Sequence, residues 1–126
     1  MNATPAFLIV EDIPVNAMLL RKLLSLRYPD AEIHVAENGK VALDTVSDLQ
    51  PDIVFMDIQM PVMNGLEATA EIRQLPAFTH LPIVGLSAGI MPDEKEACMR
   101  AGMTDYMIKP IDVENLDQIL KTHLRA

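Results

Sequence analysis

The sequence predicts an α/β domain built on a parallel sheet with helices on both faces, and three observations predict it. Short, nearly continuous apolar runs alternate with segments of helical spacing. Five of each follow one another in strict βα alternation, which implies parallel strands joined by right-handed crossovers. The residues between them carry helix-cap and helix-stop chemistry.

In chain order, Phe7-Leu8-Ile9-Val10 is the first run, and Val15, Leu19, Leu23 and Leu26 repeat at helical spacing behind it. Glu32 to Ala36 is a weaker strand, followed by a helix carried by Val41/Ala42, Val46 and Leu49. Ile53-Val54-Phe55-Met56 is the central run. Asn64 with Glu67 three residues later forms an N-cap box for a helix bearing Ala68, Ile72 and Leu75. After Ile83-Val84-Gly85-Leu86, Pro92-Asp93-Glu94 suits the first turn of a fourth helix with a weaker apolar face, which Gly102 stops. Tyr106 to Ile108 is a second weak strand, and Val113, Leu116, Leu120 and Leu124 mark the last helix. One domain over residues 6–124 is expected, with residues 1–5 as a loose tail, no repeat or linker, and no output domain.

A chain of 126 residues is long enough for an ordinary single core. Ten Lys and Arg against 18 Asp and Glu give a net charge of −8, which argues against direct binding to a nucleic-acid backbone. A single cysteine, Cys98, excludes an intramolecular disulfide framework and fits a reducing compartment, where it reads as a small buried hydrophobe. The longest uncharged stretch, Gln74 to Pro92, is broken by three prolines and diluted by His80, Ser87 and two glycines, so no membrane contact is expected. Ala6 to Val10 lacks a basic flank and is too short for a secretory signal. These features predict a soluble, cytoplasmic protein.

In an open parallel sheet the ligand site lies beyond the carboxyl ends of the strands, near the point where strand order reverses. The first strand ends in Glu11-Asp12, the third in Asp57, the fourth in Ser87 and the fifth in Lys109-Pro110. Three carboxylates on one rim repel one another and need a cation or shared protons. Magnesium favours oxygen ligands and is commonly held by one or two carboxylates together with a phosphate. Lys109 adds a point charge for a phosphoryl oxygen. With that charge neutralised, an aspartate can act as nucleophile and form an acyl phosphate, and Asp57 on the central strand is the choice for it. Singly, each carboxylate would be a helix cap or a solvated residue, Ser87 a loop residue and Lys109 a surface lysine. Their joint placement at four strand ends is what points to a site.

Val10-Glu11-Asp12, Asp57-Ile58-Gln59-Met60-Pro61-Val62-Met63-Asn64-Gly65, Leu86-Ser87-Ala88 and Ala101-Gly102-Met103-Thr104-Asp105-Tyr106, leading into Lys109-Pro110-Ile111, stand in an order and spacing that resemble a response-regulator receiver domain of two-component signalling. The resemblance spans nearly the whole chain. The phrasing from Gly102 to Ile111, with Pro14 and Asn16, most resembles receivers of hybrid sensor histidine kinases; a free-standing regulator is the alternative.

The resemblance implies a doubly wound, flavodoxin-like receiver fold, (βα)5, with strand order 2-1-3-4-5. It implies Asp57 as phosphoacceptor, Asp12, Asp57 and the backbone carbonyl of Gln59 on Mg2+ with Glu11 acting largely through a bound water, and Mn2+ as a substitute ion. Lys109 would bind the phosphoryl group. Ser87 would hydrogen-bond a phosphoryl oxygen, drawing its loop inward and making room for Tyr106 to turn inside. A cis Lys109-Pro110 bond is also implied. The implied partners are a sensor histidine kinase and/or a histidine phosphotransfer protein, with a homodimer through helix 4, strand 5 and helix 5 around Tyr106. Phosphoryl transfer and slow autodephosphorylation would be self-catalysed, without turnover of a separate substrate.

Three positions depart from the pattern or tune it. Ile13 puts an apolar side chain beside the acid pair, where many relatives carry a polar residue. Gln59 and Gly89 occupy positions resembling those that tune phosphoryl lifetime, and Gly89 offers little shielding from water. An apolar patch of Ile13, Val15, Met18, Pro110 and Ile111 borders the rim and is expected to meet the histidine donor.

Two other functions compete. A magnesium-dependent aspartyl phosphohydrolase of the haloacid-dehalogenase type needs a carboxylate two residues after its nucleophile, where this chain has Gln59. A degenerate receiver serving only as a binding module would lack some of the five site residues, all of which are present. Flavin mononucleotide at the switch point is disfavoured because Glu11-Asp12-Ile13-Pro14 is acidic where a phosphate cradle needs glycine and hydroxyl groups. His34, His80 and His123 are given no chemistry. Of the nine methionines, Met56, Met107 and Met18 read as core filling, while Met60, Met63 and Met91 fall in loops near the rim.

Overall fold

Five parallel strands form one sheet in the order β2-β1-β3-β4-β5, in a computed structural model that describes residues 4–60, 62–89 and 93–124. The strands are β1 (Ala6–Val10), β2 (Glu32–Ala36), β3 (Ile53–Asp57), β4 (Ile83–Ser87) and β5 (Asp105–Ile108). The helices are α1 (Pro14–Arg27), α2 (Gly39–Leu49), α3 (Gly65–Arg73), α4 (Glu94–Ala101) and α5 (Val113–His123), so the alternation, the strand order and the fold agree with the sequence reading. Pro61, Met91, Pro92 and the first three residues of the expected tail lie outside the described residues.

Strand side chains alternate between two cores. Leu8, Val10, Val54 and Met56 pack with Ala42 and Val46 of α2, Ala68 and Ile72 of α3, and Cys98 of α4. Phe7, Ile9, Phe55 and Leu86 pack on the opposite face with Leu20 and Leu24 of α1 and Leu116, Ile119 and Leu120 of α5. The two weakly patterned strands are the sheet edges. β2 keeps Glu32, His34 and Val35 exposed, and Ile108 of β5 is exposed, so neither needed the continuous apolar run of a central strand.

Three elements differ from the periodicity reading, α5 only in that Val113 is exposed and Ile119 joins its buried face. On α1, Val15, Leu19 and Leu26 face outward, and Ala17, Leu20 and Leu24 form the buried face. The helix is apolar at so many positions that more than one stripe of period 3.6 can be drawn through it. Leu75 lies past the end of α3 in an extended conformation, because Pro76 follows it and opens a 3-10 turn over Pro76–Phe78. Boundary chemistry agrees with the sequence at α3, where the Asn64 side chain accepts from Glu67 N at 2.9 Å and Glu67 accepts from Asn64 N at 3.1 Å. Gly102 ends α4 with φ +108°, a left-handed conformation that suits glycine.

Two arginines tie the layers together. Arg27 of α1 pairs with Asp117 of α5, including an Nη2 to Oδ2 contact at 3.1 Å. Arg73 of α3 donates to the carbonyls of Gly102 at 2.8 Å and Phe78 at 2.7 Å, closing the connection into β5. Burial lowers the Arg73 pKa below its ordinary value.

Candidate functional site

Strand register builds the rim. Val10 pairs with Met56, so Glu11 leaves β1 level with Asp57, the last residue of β3. Asp57 pairs with Leu86, and Ser87 pairs with Ile108, which puts Lys109 one step beyond. The four strand ends therefore deliver their polar residues to one edge of the sheet, as the sequence predicts.

Glu11, Asp12 and Asp57 offer carboxylate oxygens that all lie within 4.8 Å of one another. Glu11 and Asp57 are buried, the latter only 4 % exposed. Lys109 Nζ bridges the two, 3.0 Å from Glu11 Oε1 and 3.3 Å from Asp57 Oδ1. The backbone N–H of Gln59 donates to Asp57 Oδ1 at 3.4 Å, a long contact, and that of Ile13 donates to Glu11 Oε2 at 3.3 Å. The Lys109-Pro110 peptide is cis.

Burial pushes the Asp57 carboxyl up to about 7, aided by a hydrogen bond and like charge from Glu11, against the opposing pull of Lys109. Burial alone would lower the Lys109 ammonium, but Glu11 and Asp57 outweigh it and raise its pKa. One lysine thus does not neutralise the site. Asp12 Oδ1 is buried without a hydrogen-bond partner, an acceptor left for something positive. Three clustered hard oxygen donors, one of them orphaned, fit a divalent cation such as Mg2+, to which Glu11, Asp12 and Asp57 could be ligands. No other cluster of this kind occurs among the described residues.

Ser87 is 2 % exposed, and its hydroxyl donates to the Glu94 carboxylate in the first turn of α4 while Oγ accepts from Gly89 N at 2.9 Å. Tyr106 is half-buried, and Lys95 Nζ sits 5.6 Å from its ring centroid. Gly89 has φ +75°, and a side chain there would run into Ile108, with a Cβ 2.9 Å from its Cγ2. In the sequence Glu94 stands out only as a first-turn acid. An acid seven residues after a serine gives no signal by itself, and only the fold brings the two together.

Ile13, beside the acid pair, and Val15 and Met18 on α1 are exposed, the last two by 67 % and 68 %, so Met18 does not fill the core as its place on the helix suggests. His34 pairs with Glu32 at 2.9 Å and His123 with Asp105 at 3.0 Å, so both have ordinary carboxylate partners. Cys98 is buried, which raises its thiol pKa. No helix among the described residues is long and apolar enough to cross a membrane.

Comparison with known proteins gives the context. Residues 7–121 match the family model described as a response regulator receiver domain. The chain is 40% identical over 122 residues to the sensor histidine kinase GacS of Pseudomonas protegens, covering 94% of this chain and 13% of that protein. It is also similar to the receiver domain of the sensor histidine kinase PA1611 from Pseudomonas aeruginosa PAO1, solved with a magnesium ion coordinated in the active site cleft. That structure has a TM-score of 0.85 at 34% identity, covering 96% of this chain and 98% of the other. The chemotaxis protein CheY4 of Vibrio cholerae matches with a TM-score of 0.84 at 28% identity, covering 97% and 100%.

Proposed function

The chain belongs to the response regulator receiver domain family of two-component signalling, and from that premise we propose that it is a phosphorylation-dependent switch whose acceptor is Asp57. The observation that carries this reading is the buried Asp57 carboxylate, clustered with Glu11 and Asp12 and bridged to Glu11 by Lys109 at the sheet edge. The donor is a phosphohistidine on a sensor histidine kinase or a histidine phosphotransfer protein. The N–P bond of the donor breaks as an Asp57 oxygen forms the new O–P bond, and the imidazole leaves with a proton. Mg2+, or Mn2+ in its place, held by Glu11, Asp12, Asp57 and the Gln59 carbonyl, would supply positive charge against the transferring group.

Lys109 exchanges its carboxylate contacts for a phosphoryl oxygen. Ser87 donates a hydrogen bond to another, and Tyr106 moves inward with the Ser87 loop. Water then hydrolyses the acyl phosphate slowly, and Gly89, lacking a side chain, does little to shield it. Residues 6–124 act as one cytoplasmic receiver domain that binds no nucleic acid, with α4, β5 and α5 as output and homodimer face.

The test is the intact mass after incubation with acetyl phosphate. A single phosphoryl gain that requires Mg2+ and disappears in Asp57→Asn is expected. If wild type gains nothing, and beryllofluoride does not bind either, the site is a relic and the chain is a protein-binding module.

Donor docking gives a second prediction. Ile13 at the N-cap of α1 and Val15 and Met18 on the helix are exposed and apolar, Arg21 and Lys22 flank the hollow that Val15, Met18 and Leu19 line, and Leu19 also lines the hollow that holds Pro110 and Ile111. Met18→Lys should slow transfer from a cognate phosphohistidine about tenfold or more, while phosphorylation by acetyl phosphate is unchanged. Equal slowing of both would show that Met18 acts on the site rather than on docking.

A further inference from the structure

The first turn of α4 touches both switch residues. Glu94 accepts a hydrogen bond from the Ser87 hydroxyl, and Lys95, the next residue, lies over the Tyr106 ring. A serine hydroxyl has one proton to give. In this structure that proton goes to Glu94, and Oγ is also engaged as acceptor by Gly89 N.

We propose that Glu94 is a positioning residue that latches Ser87 in the unphosphorylated state and so sets how much driving force the switch requires. The inference rests on the reading that Ser87 donates to a phosphoryl oxygen on Asp57. Carboxylate and phosphoryl group then compete for one donor, and the phosphoryl group wins only by displacing Glu94. Ser87 is nearly buried whereas Glu94 is half-buried, so the released carboxylate can turn to water at the start of α4. Release of Ser87 thereby frees the same turn that carries Lys95, which links the Ser87 movement to that of Tyr106. Hydrogen bonds to charged groups are strong enough for this competition to shift the equilibrium measurably.

The test is calorimetric titration of the 126-residue chain with beryllofluoride in excess Mg2+, as a stable phosphoryl mimic, in a cycle of Glu94→Ala, Ser87→Ala and the double variant. Glu94→Ala should tighten binding about tenfold when Ser87 is present and change it less than about twofold when Ser87 is alanine. Glu94→Gln, which keeps the size and an acceptor oxygen but not the charge, should tighten it about threefold and guards against misfolding of the alanine variant. A merely structural role in α4 would weaken binding equally in both backgrounds, and that result overturns the latch. Unchanged binding in Glu94→Ala also overturns it, leaving the acceptor reading intact if acetyl phosphate still modifies Asp57. Absence of both modification and beryllofluoride binding in wild type overturns the acceptor reading and the latch with it.

Discussion

Metal-free protein should lose stability as pH rises from about 4 to about 7, and Asp57→Asn should remove that loss. The folded Asp57 carboxyl is pushed up to about 7, whereas its ordinary value is 3.8. Between these values the folded protein holds a proton that the unfolded chain has released. Stability therefore falls with rising pH in this window and levels off above it. The linkage is on the order of 4 kcal/mol over the whole window. Asparagine mimics the protonated acid, so the stability advantage of Asp57→Asn over wild type should be near zero at pH 4 and largest at pH 8. Urea unfolding of both proteins in a chelator, at several pH values, measures it. Millimolar Mg2+ should restore wild type at pH 8 and do much less for the variant, because a cation that binds only the folded site stabilises by mass action. A gap between the two proteins that stays constant with pH would mean that Lys109 already neutralises the cluster.

The same residues explain why the site was legible in the sequence. A strand covered on both faces must be apolar until it reaches its end, so Glu11-Asp12, Asp57 and Ser87 are conspicuous as the first polar residues after such runs, Lys109 follows the short run of edge strand β5, and the topology does the rest. The edge strands read weakly because half of each faces water. The burial of α1 was not legible, since Leu19 and Leu20 are equally apolar neighbours and only packing against Phe7 and Phe55 selects Leu20. The Ser87–Glu94 contact was illegible for a different reason. It joins a strand end to the first turn of the following helix, and its existence depends on loop geometry that no periodicity encodes.

Gly65→Ala should be among the most damaging small substitutions in the chain. A Cβ at Gly65 would lie 2.2 Å from the Asp57 carbonyl oxygen and 2.9 Å from Ile58 Cα, both of them backbone atoms that cannot rotate away. Gly65 N also donates to the Ile58 carbonyl at 2.9 Å, so α3 is pinned against the connection that carries Asp57 and Gln59. Accommodating the methyl group requires α3 and that connection to separate, which breaks the hydrogen bond and uncovers Ala68 and Ile72. The expected cost is about 3 kcal/mol, near the top of the range for overpacking, with the melting temperature lowered by about 10 °C. Weaker Mg2+ binding should accompany it, since the Gln59 backbone moves with Ile58. Gly85→Ala is the informative control. Its Cβ meets Met103 Sδ at 2.6 Å, closer than any real contact, yet the obstacle is a flexible thioether that can change rotamer. It should cost no more than about 1 kcal/mol and leave Mg2+ binding unchanged. Comparable losses in both variants would show that nearness of a Cβ alone sets the penalty, and that the backbone approach of α3 to the end of β3 is not what holds Asp57 in place.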